Sequence, residues 1–209
     1  MTNAPSKMTV IANNSLRVFR DWIPSLVLIS LMLIARSTLA DHYYVPSGSM
    51  EHALIPGDHV VVNKSAYGLR VPFTNQVIAL QENPERGEVV IFDSPDNGVR
   101  LIKRVVAVGG DVVAVRNGRV SINGQSLTTP DNPSVEYYGS REVRLNLVDG
   151  GGPDLPATRI PAGQVLVLGD HRGNSRDGRF FGTVPVQALY GRATAVVLRQ
   201  NDGLLWQVL

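Results

Sequence analysis

Val112-Val113-Ala114-Val115-Arg116-Asn117-Gly118-Arg119-Val120-Ser121-Ile122 reads as two short strands joined by a two-residue turn. Asn-Gly is a strong hairpin signal, because both central residues of a type I′ turn need positive φ. The flanking runs are rich in β-branched side chains, which suit a half-buried sheet face. This hairpin sets the expectation for the rest of the chain, which is β.

From Asp58 onward, period-two patterns and short apolar runs dominate. Val60-Val61-Val62, Glu88 to Phe92, Arg100 to Val108, Val165 to Leu168 and Arg192 to Leu198 all read as strands. Gly57-Asp58, Arg86-Gly87, Gly109-Gly110-Asp111 and Gly169-Asp170 punctuate them. Residues 123–163, with Gly150-Gly151-Gly152-Pro153 inside, look like a loop-rich excursion from the main body. The C-terminal Leu204-Leu205-Trp206 suits closure of the core, with a membrane interface as the other option. The expected fold class is a mainly β domain of folded-over sheets.

Only the N-terminal region breaks this pattern. Residues 1–21 are polar and carry Lys7, Arg17 and Arg20 against Asp21. Trp22 to Ala35 is a 14-residue apolar run, short for a membrane span; counted to Ala40 it reaches 19. Such a span works if Arg36 snorkels to the outer interface. A cleavable secretory signal fits the basic start and the small Ala40 as well. Both readings leave the basic tail in the cytoplasm and everything after residue 40 on the far side. A buried soluble helix is disfavoured because the run has no polar face.

The composition, 44% hydrophobic and 18% charged in 209 residues, is that of a folded protein. The net charge is +2, and no basic run is interleaved with aromatics, which argues against nucleic acid as a partner. Cysteine is absent, which excludes disulfides, thiolate metal sites and a cysteine nucleophile. His42, His52, His59 and His171 have no zinc-type spacing, so no metal is expected.

Pro46-Ser47-Gly48-Ser49-Met50 lies between the apolar segment and the first strand. In an extended loop Ser47 and Ser49 would face the same way. One hydroxyl could then attack a carbonyl while the other supports the oxyanion. Taken alone, the pentapeptide suits a polar surface turn better. A Ser-His-Asp triad is disfavoured, because Asp170 and His171 are sequence neighbours and would point apart in an extended chain. Lys103 is the stronger partner. Its strand-face neighbours are Leu101 and Val105, and an ammonium among apolar groups loses solvation and releases its proton more readily. A lysine snorkelling at a sheet edge would carry the same pattern.

Ser47-Gly48-Ser49-Met50, Gly57-Asp58, Arg86-Gly87-Glu88-Val89-Val90, Lys103-Arg104-Val105, Gly110-Asp111 and Gly169-Asp170…Asn174-Ser175…Asp177…Arg179…Gly182 occur in that order. Together they resemble the successive boxes of bacterial type I signal peptidases, over about residues 43 to 197. That family is similar in fold to the self-cleaving SOS-type repressors, with coiled antiparallel β-sheets. The resemblance implies Ser49 as nucleophile and Lys103 as general base. It implies an oxyanion hole from the Ser47 hydroxyl and the Ser49 amide, and a hydrogen bond from Ser175 that holds the Lys103 amine. Arg104, Asp170, Asp177 and Arg179 match structural polar positions. Val45, Met50, Leu54 and Ile102 match the lining of shallow pockets for small residues, although alternation turns Ile102 away from Lys103.

The resemblance further implies a single-pass protein of the cytoplasmic membrane: a cytoplasmic tail over 1–21, an anchor over 22–40 and an outer catalytic domain over 41–209. Its partners would be preprotein signal peptides cut after small residues, the lipid bilayer and the protein export machinery, with no cofactor. The sequence departs from the family pattern at Met50-Glu51-His52-Ala53-Leu54, at Val108-Gly109-Gly110-Asp111, at His171, where asparagine is common, and at Gly178. A specialised relative that processes pilin or conjugation proteins is one rival reading. A membrane-tethered binding module is another, though it would have no need of Ser49, Lys103 and Ser175 together. A self-cleaving repressor would carry a DNA-binding module in place of the membrane stem.

Overall fold

The computed structural model describes residues 20–33, 40–70, 77–79 and 82–209. A helix, α1, covers residues 20–33 and exposes its apolar side chains. No described helix is long and apolar enough to cross a membrane. Residues 1–19 of the expected tail over 1–21, and residues 34–39 of the expected anchor over 22–40, lie outside the described residues.

The remaining body is β. Strands β1 (Ala40–Tyr44), β2 (His59–Asn63), β3 (Leu69–Arg70), β4 (Val77–Ala79) and β5 (Val89–Asp93) come first. Then follow β6 (Arg100–Val108), β7 (Val112–Arg116), β8 (Arg119–Ile122), β9 (Gln125–Ser126), β10 (Val135–Tyr138), β11 (Arg141–Arg144) and β12 (Leu155–Arg159). The chain ends with β13 (Gln164–Leu168), a short helix α2 (Gly178–Phe181), β14 (Val184–Pro185), β15 (Leu189–Arg199) and β16 (Gly203–Val208).

An eight-stranded antiparallel sheet runs β1-β2-β15-β5-β6-β13-β14, with β16 also paired to β15. A four-stranded sheet, β12-β7-β8-β9, folds over it, and β10 and β11 form their own hairpin. Alternation along β5 divides the core. Val89 and Ile91 pack on one face with Val45, Met50, Leu54 and Ile102, whereas Val90 and Phe92 pack on the other with Val105 and Val167. A third cluster joins the sheets through Val106, Leu166 and Leu168 from the large one and Val113, Val115, Val120 and Ile122 from the small one.

The Asn117-Gly118 turn has the expected dihedrals, φ 49° and 76°. Gly118 is also a contact point, because a Cβ there would lie 2.8 Å from Gly151 Cα. The Gly150-Gly151-Gly152 loop thus packs on the hairpin turn at a distance only glycine permits. The excursion is more ordered than its composition implies, since 123–163 contains β9 through β12. Polar residues occupy the outward positions of its short strands, as in β11, where Val143 is buried while Glu142 and Arg144 are exposed. The C-terminal run splits by alternation. Leu205 packs on the core, while Leu204 and Trp206 are 87% and 71% exposed.

Candidate active site

The loop that carries Ser47 and Ser49 is pinned at its entry. Val45 N–H donates to Asp58 O, and Gly57 N–H donates to Val45 O, so pairing of β1 with β2 continues into the loop. The chain then turns as a 3-10 helix over Gly48–Met50, rather than in the extended form expected from the serine spacing. Met50 is buried on one side and Leu54 N–H closes the following turn onto Met50 O. Burying Met50 and Leu54 requires a compact turn, and this overrides the extended preference of a Ser-Gly-Ser run.

Lys103 arrives on β6. Val105 N–H donates to Glu88 O, just before β5, so by alternation Ile102 and Arg104 turn their backbone groups to the other side. There β13 pairs only as far as Arg104, opposite Leu168. The edge beside Ile102 is left open, and the Gly48–Met50 turn lies against β6. Lys103 Nζ donates to Ile102 O at 2.9 Å and approaches Ser49 Oγ at 2.7 Å. Lys103 is only 3% exposed and Ser49 7%. The flank of Leu101 and Val105 is as alternation predicts, and both belong to the cluster on that face.

Burial drives the Lys103 ammonium down to a pKa of about 8, against a smaller opposing pull from Asp177 and Asp170. Neither carboxylate is free to pair with it. Asp170 takes a bidentate pair of bonds from Arg104, at 2.8 and 2.6 Å. Asp177 accepts from Arg179 Nε and Nη2 at 2.8 Å each and from Gly169 N–H at 3.0 Å. No carboxylate among the described residues forms an ion pair with Lys103. A serine hydroxyl held against an amine of low basicity, within hydrogen-bond reach, can be deprotonated for attack on a carbonyl.

The other expected residues fall as follows. Ser47 Oγ lies 3.4 Å from Ser49 Oγ and is exposed to solvent. Ser175 lies close by, since a Cβ on Gly169 would meet both Ser175 Oγ and Ser49 O. Its buried hydroxyl has no hydrogen-bond partner among the described residues, so the expected bond to the Lys103 amine is not made. Val45, Met50, Leu54 and Ile102 do come together, on the face away from Leu101 and Val105. No local twist of β6 is needed, because the lysine stem curls to the strand edge while Ile102 points into that cluster. All four are at most 3% exposed, so they form a packed floor and no open cavity.

Several charged residues around the site escaped the sequence reading. Arg172 and Glu136 are both fully buried and joined by two bonds of 2.9 and 2.7 Å. Arg172 also donates to Gly118 O and Gly169 O, tying the hairpin turn to the segment that follows β13. Glu136 had a signal: it shares an alternation phase with Tyr138, and a carboxylate on an inward position needs a cation. Glu51, Asn146 and Asp149, which surround His171, had none.

The sequence pattern of the family described as "Signal peptidase, peptidase S26" matches residues 19–198. The chain is 34% identical over 191 residues to a signal peptidase I of Pseudomonas fluorescens, covering 79% of this chain and 67% of that protein. It is 37% identical over 175 residues to a probable signal peptidase I-1 of Synechocystis sp., covering 83% and 80%. A signal peptidase I structure from Enterococcus faecalis V583 covers 54% of this chain and 98% of that one at 30% identity. Its TM-score of 0.38 is too low to bear on the fold. A mainly β scaffold with this similarity defines a class of hydrolase. The chain belongs to the signal peptidase S26 family: it is a serine peptidase, and the bond it cuts frees a signal peptide.

Proposed function

We propose that Ser49 is the nucleophile and Lys103 its general base. The observation that carries this reading is the 2.7 Å approach of Lys103 Nζ to Ser49 Oγ in a site both side chains share in burial. The un-ionised amine takes the hydroxyl proton as Oγ bonds to the scissile carbonyl carbon. The Ser47 hydroxyl and the Ser49 amide donate to the oxyanion. Collapse of the tetrahedral intermediate breaks the C–N bond, and Lys103 returns the proton to the leaving amine. Water, activated by the same amine, then hydrolyses the ester on Ser49. Ser175 takes part by rotating its unpartnered hydroxyl toward the amine. Arg104, Asp170, Asp177 and Arg179 hold the scaffold. Val45, Met50, Leu54 and Ile102 set a floor against which only small side chains fit.

The substrate is a preprotein anchored by its own apolar signal, cut after small residues in an A-x-A-like pattern. Residues 22–40 anchor the enzyme in the cytoplasmic membrane, with the tail inside, the domain over 41–209 outside and the export machinery as neighbour. Ser49 follows Ala40 by nine residues, which span at most about 30 Å. The nucleophile is thereby kept near the bilayer surface, and sharing one membrane raises the effective concentration of the substrate. The test is cleavage of a preprotein by the detergent-solubilised chain, with mass analysis of the cut. Ser49→Ala is expected to lose essentially all turnover while still binding substrate, because only the attacking oxygen is removed. Turnover near the wild-type rate would overturn the assignment.

A further inference from the structure

His171, one of the positions at which this chain departs from the family pattern, touches Glu51 on the turn that carries Ser49. Glu51 closes the nucleophile turn: its backbone N–H donates to Gly48 O at 3.1 Å. Its side chain folds back over the turn, so that a Cβ on Gly48 would lie 2.8 Å from Glu51 Oε1. From there Oε2 lies 3.3 Å from His171 Nδ1 and accepts from Asn146 Nδ2 at 3.2 Å. The opposite edge of the ring, Nε2, lies 2.9 Å from Asp149 Oδ2. Neither ring nitrogen makes an aligned hydrogen bond among the described residues, so the ring is held by contact with a carboxylate at each edge. The two carboxylates approach opposite edges of the ring and do not converge on a common point for a cation.

The backbone gives this cluster its reach into the site. His171 N–H donates to Ser49 O at 3.2 Å. The His171 segment is itself bridged to Asn146, through Asn146 N–H to Asp170 O at 2.9 Å and Arg172 N–H to Asn146 O at 3.0 Å. A Cβ on Gly173 would collide with the Asp149 backbone, so the loop bearing Asp149 is seated directly on the segment bearing His171. The ring is almost fully buried. Any change in how it is held is passed through its own amide to the carbonyl of the nucleophile.

We propose that His171 is a positioning residue for Ser49, with its imidazole clamped between Glu51 on the nucleophile turn and Asp149 on the excursion. The proposal rests on the reading of Ser49 and Lys103 as the reacting pair. The clamp keeps Ser49 Oγ at hydrogen-bond distance from Lys103 Nζ without touching substrate, so its loss is felt in the chemical step and not in binding. It also gives the excursion a part in catalysis, because Asn146 and Asp149 come from it.

The test uses the full chain in detergent with a preprotein substrate, comparing Glu51→Gln, Asp149→Asn, His171→Gln and the Glu51→Gln/His171→Gln double variant. The expected result is a fall in kcat of about tenfold for His171→Gln, as for a small misplacement of a reacting group. KM should stay within about twofold and the denaturation midpoint near that of wild type. The double variant should be no slower than His171→Gln alone, because both changes remove one clamp. Asp149 is exposed at the surface, so Asp149→Asn keeps the test alive if a His171 variant folds poorly, and it too should lower kcat at constant KM. Unchanged kcat in all variants, an effect confined to KM, losses that follow a drop in the midpoint, or additive losses in the double variant would each overturn the proposal. Ser49→Ala in the same assay separates the two claims. If Ser49→Ala is dead while the clamp variants behave as wild type, only the clamp fails. If Ser49→Ala still cleaves, the catalytic assignment fails with it.

Discussion

Lys103 and Arg172 are both buried cations, and they are buried to opposite ends. Arg172 sits in the joint between the two sheets, where two bonds from its guanidinium reach the Glu136 carboxylate. Burial works against that charge, but the attraction of Glu136 outweighs it and holds the arginine above its ordinary value. Glu136 in turn is held below its own, the same attraction overcoming the opposing effect of burial. Lys103 sits at the open edge of β6, where its partners are a hydroxyl and a carbonyl, and nothing outweighs burial. What decides whether a buried cation holds its proton tightly or loosely is therefore the carboxylate beside it, not the depth of burial. The site withholds that carboxylate by engaging Asp170 with Arg104 and Asp177 with Arg179.

Removing each cation should break the symmetry in opposite directions. Arg172→Met leaves Glu136 charged and unpaired in the core, and is expected to cost about 3–5 kcal/mol of stability. Denaturant melts check it, and restoring most of that stability by adding Glu136→Leu would show that the cost lies in the orphaned carboxylate.

Lys103→Met removes a charge that gains little from its surroundings and keeps most of the side-chain volume. The folded pKa is about 8 against an ordinary 10.5. Below about 8 both folded and unfolded chains bind the proton, and the full cost of burying the ammonium is present, on the order of 3 kcal/mol. Between about 8 and 10.5 the unfolded chain binds more protons, so the stability contributed by Lys103 rises with pH until the penalty is gone. The methionine variant should therefore be inactive yet at least as stable as wild type at pH 7, with its advantage shrinking as pH approaches 10.5. A clear loss of stability at pH 7, with secondary structure intact, would mean that Lys103 is paired after all.

The two regions also differ in how far they could be read from sequence. The hairpin at Asn117-Gly118, the strands of the large sheet and the apolar flank of Lys103 are local patterns, and period two places them. The joint between the sheets is not local. Glu136 shows only as an inward-phase carboxylate, and its partner lies 36 residues away. The Ser49–Lys103 approach spans 54 residues, and no periodicity brings the two together. It was the order of the family's boxes that paired them. The 3-10 form of the Gly48–Met50 turn follows from burial of Met50 and Leu54, a tertiary demand that overrides the local preference of Ser-Gly-Ser. The strands of the excursion were hidden by polar residues on their outward positions. The ring of Glu51, Asn146 and Asp149 around His171 depends on how the Asp149 loop lands on Gly173, which nothing in the local sequence announces.

The central claim is that burial without a counter-charge loosens the Lys103 proton, so that the amine becomes un-ionised from about pH 8 upward and not only near 10.5. The pH dependence of kcat/KM for preprotein cleavage tests it most directly, because that ratio reports ionisations of the free enzyme. The expected profile climbs about tenfold per pH unit on its acidic limb and levels off near pH 8, where the amine loses its proton. A profile flat across this range, or one still climbing toward 10.5, would contradict the claim and return Lys103 to the ordinary lysines of a sheet edge.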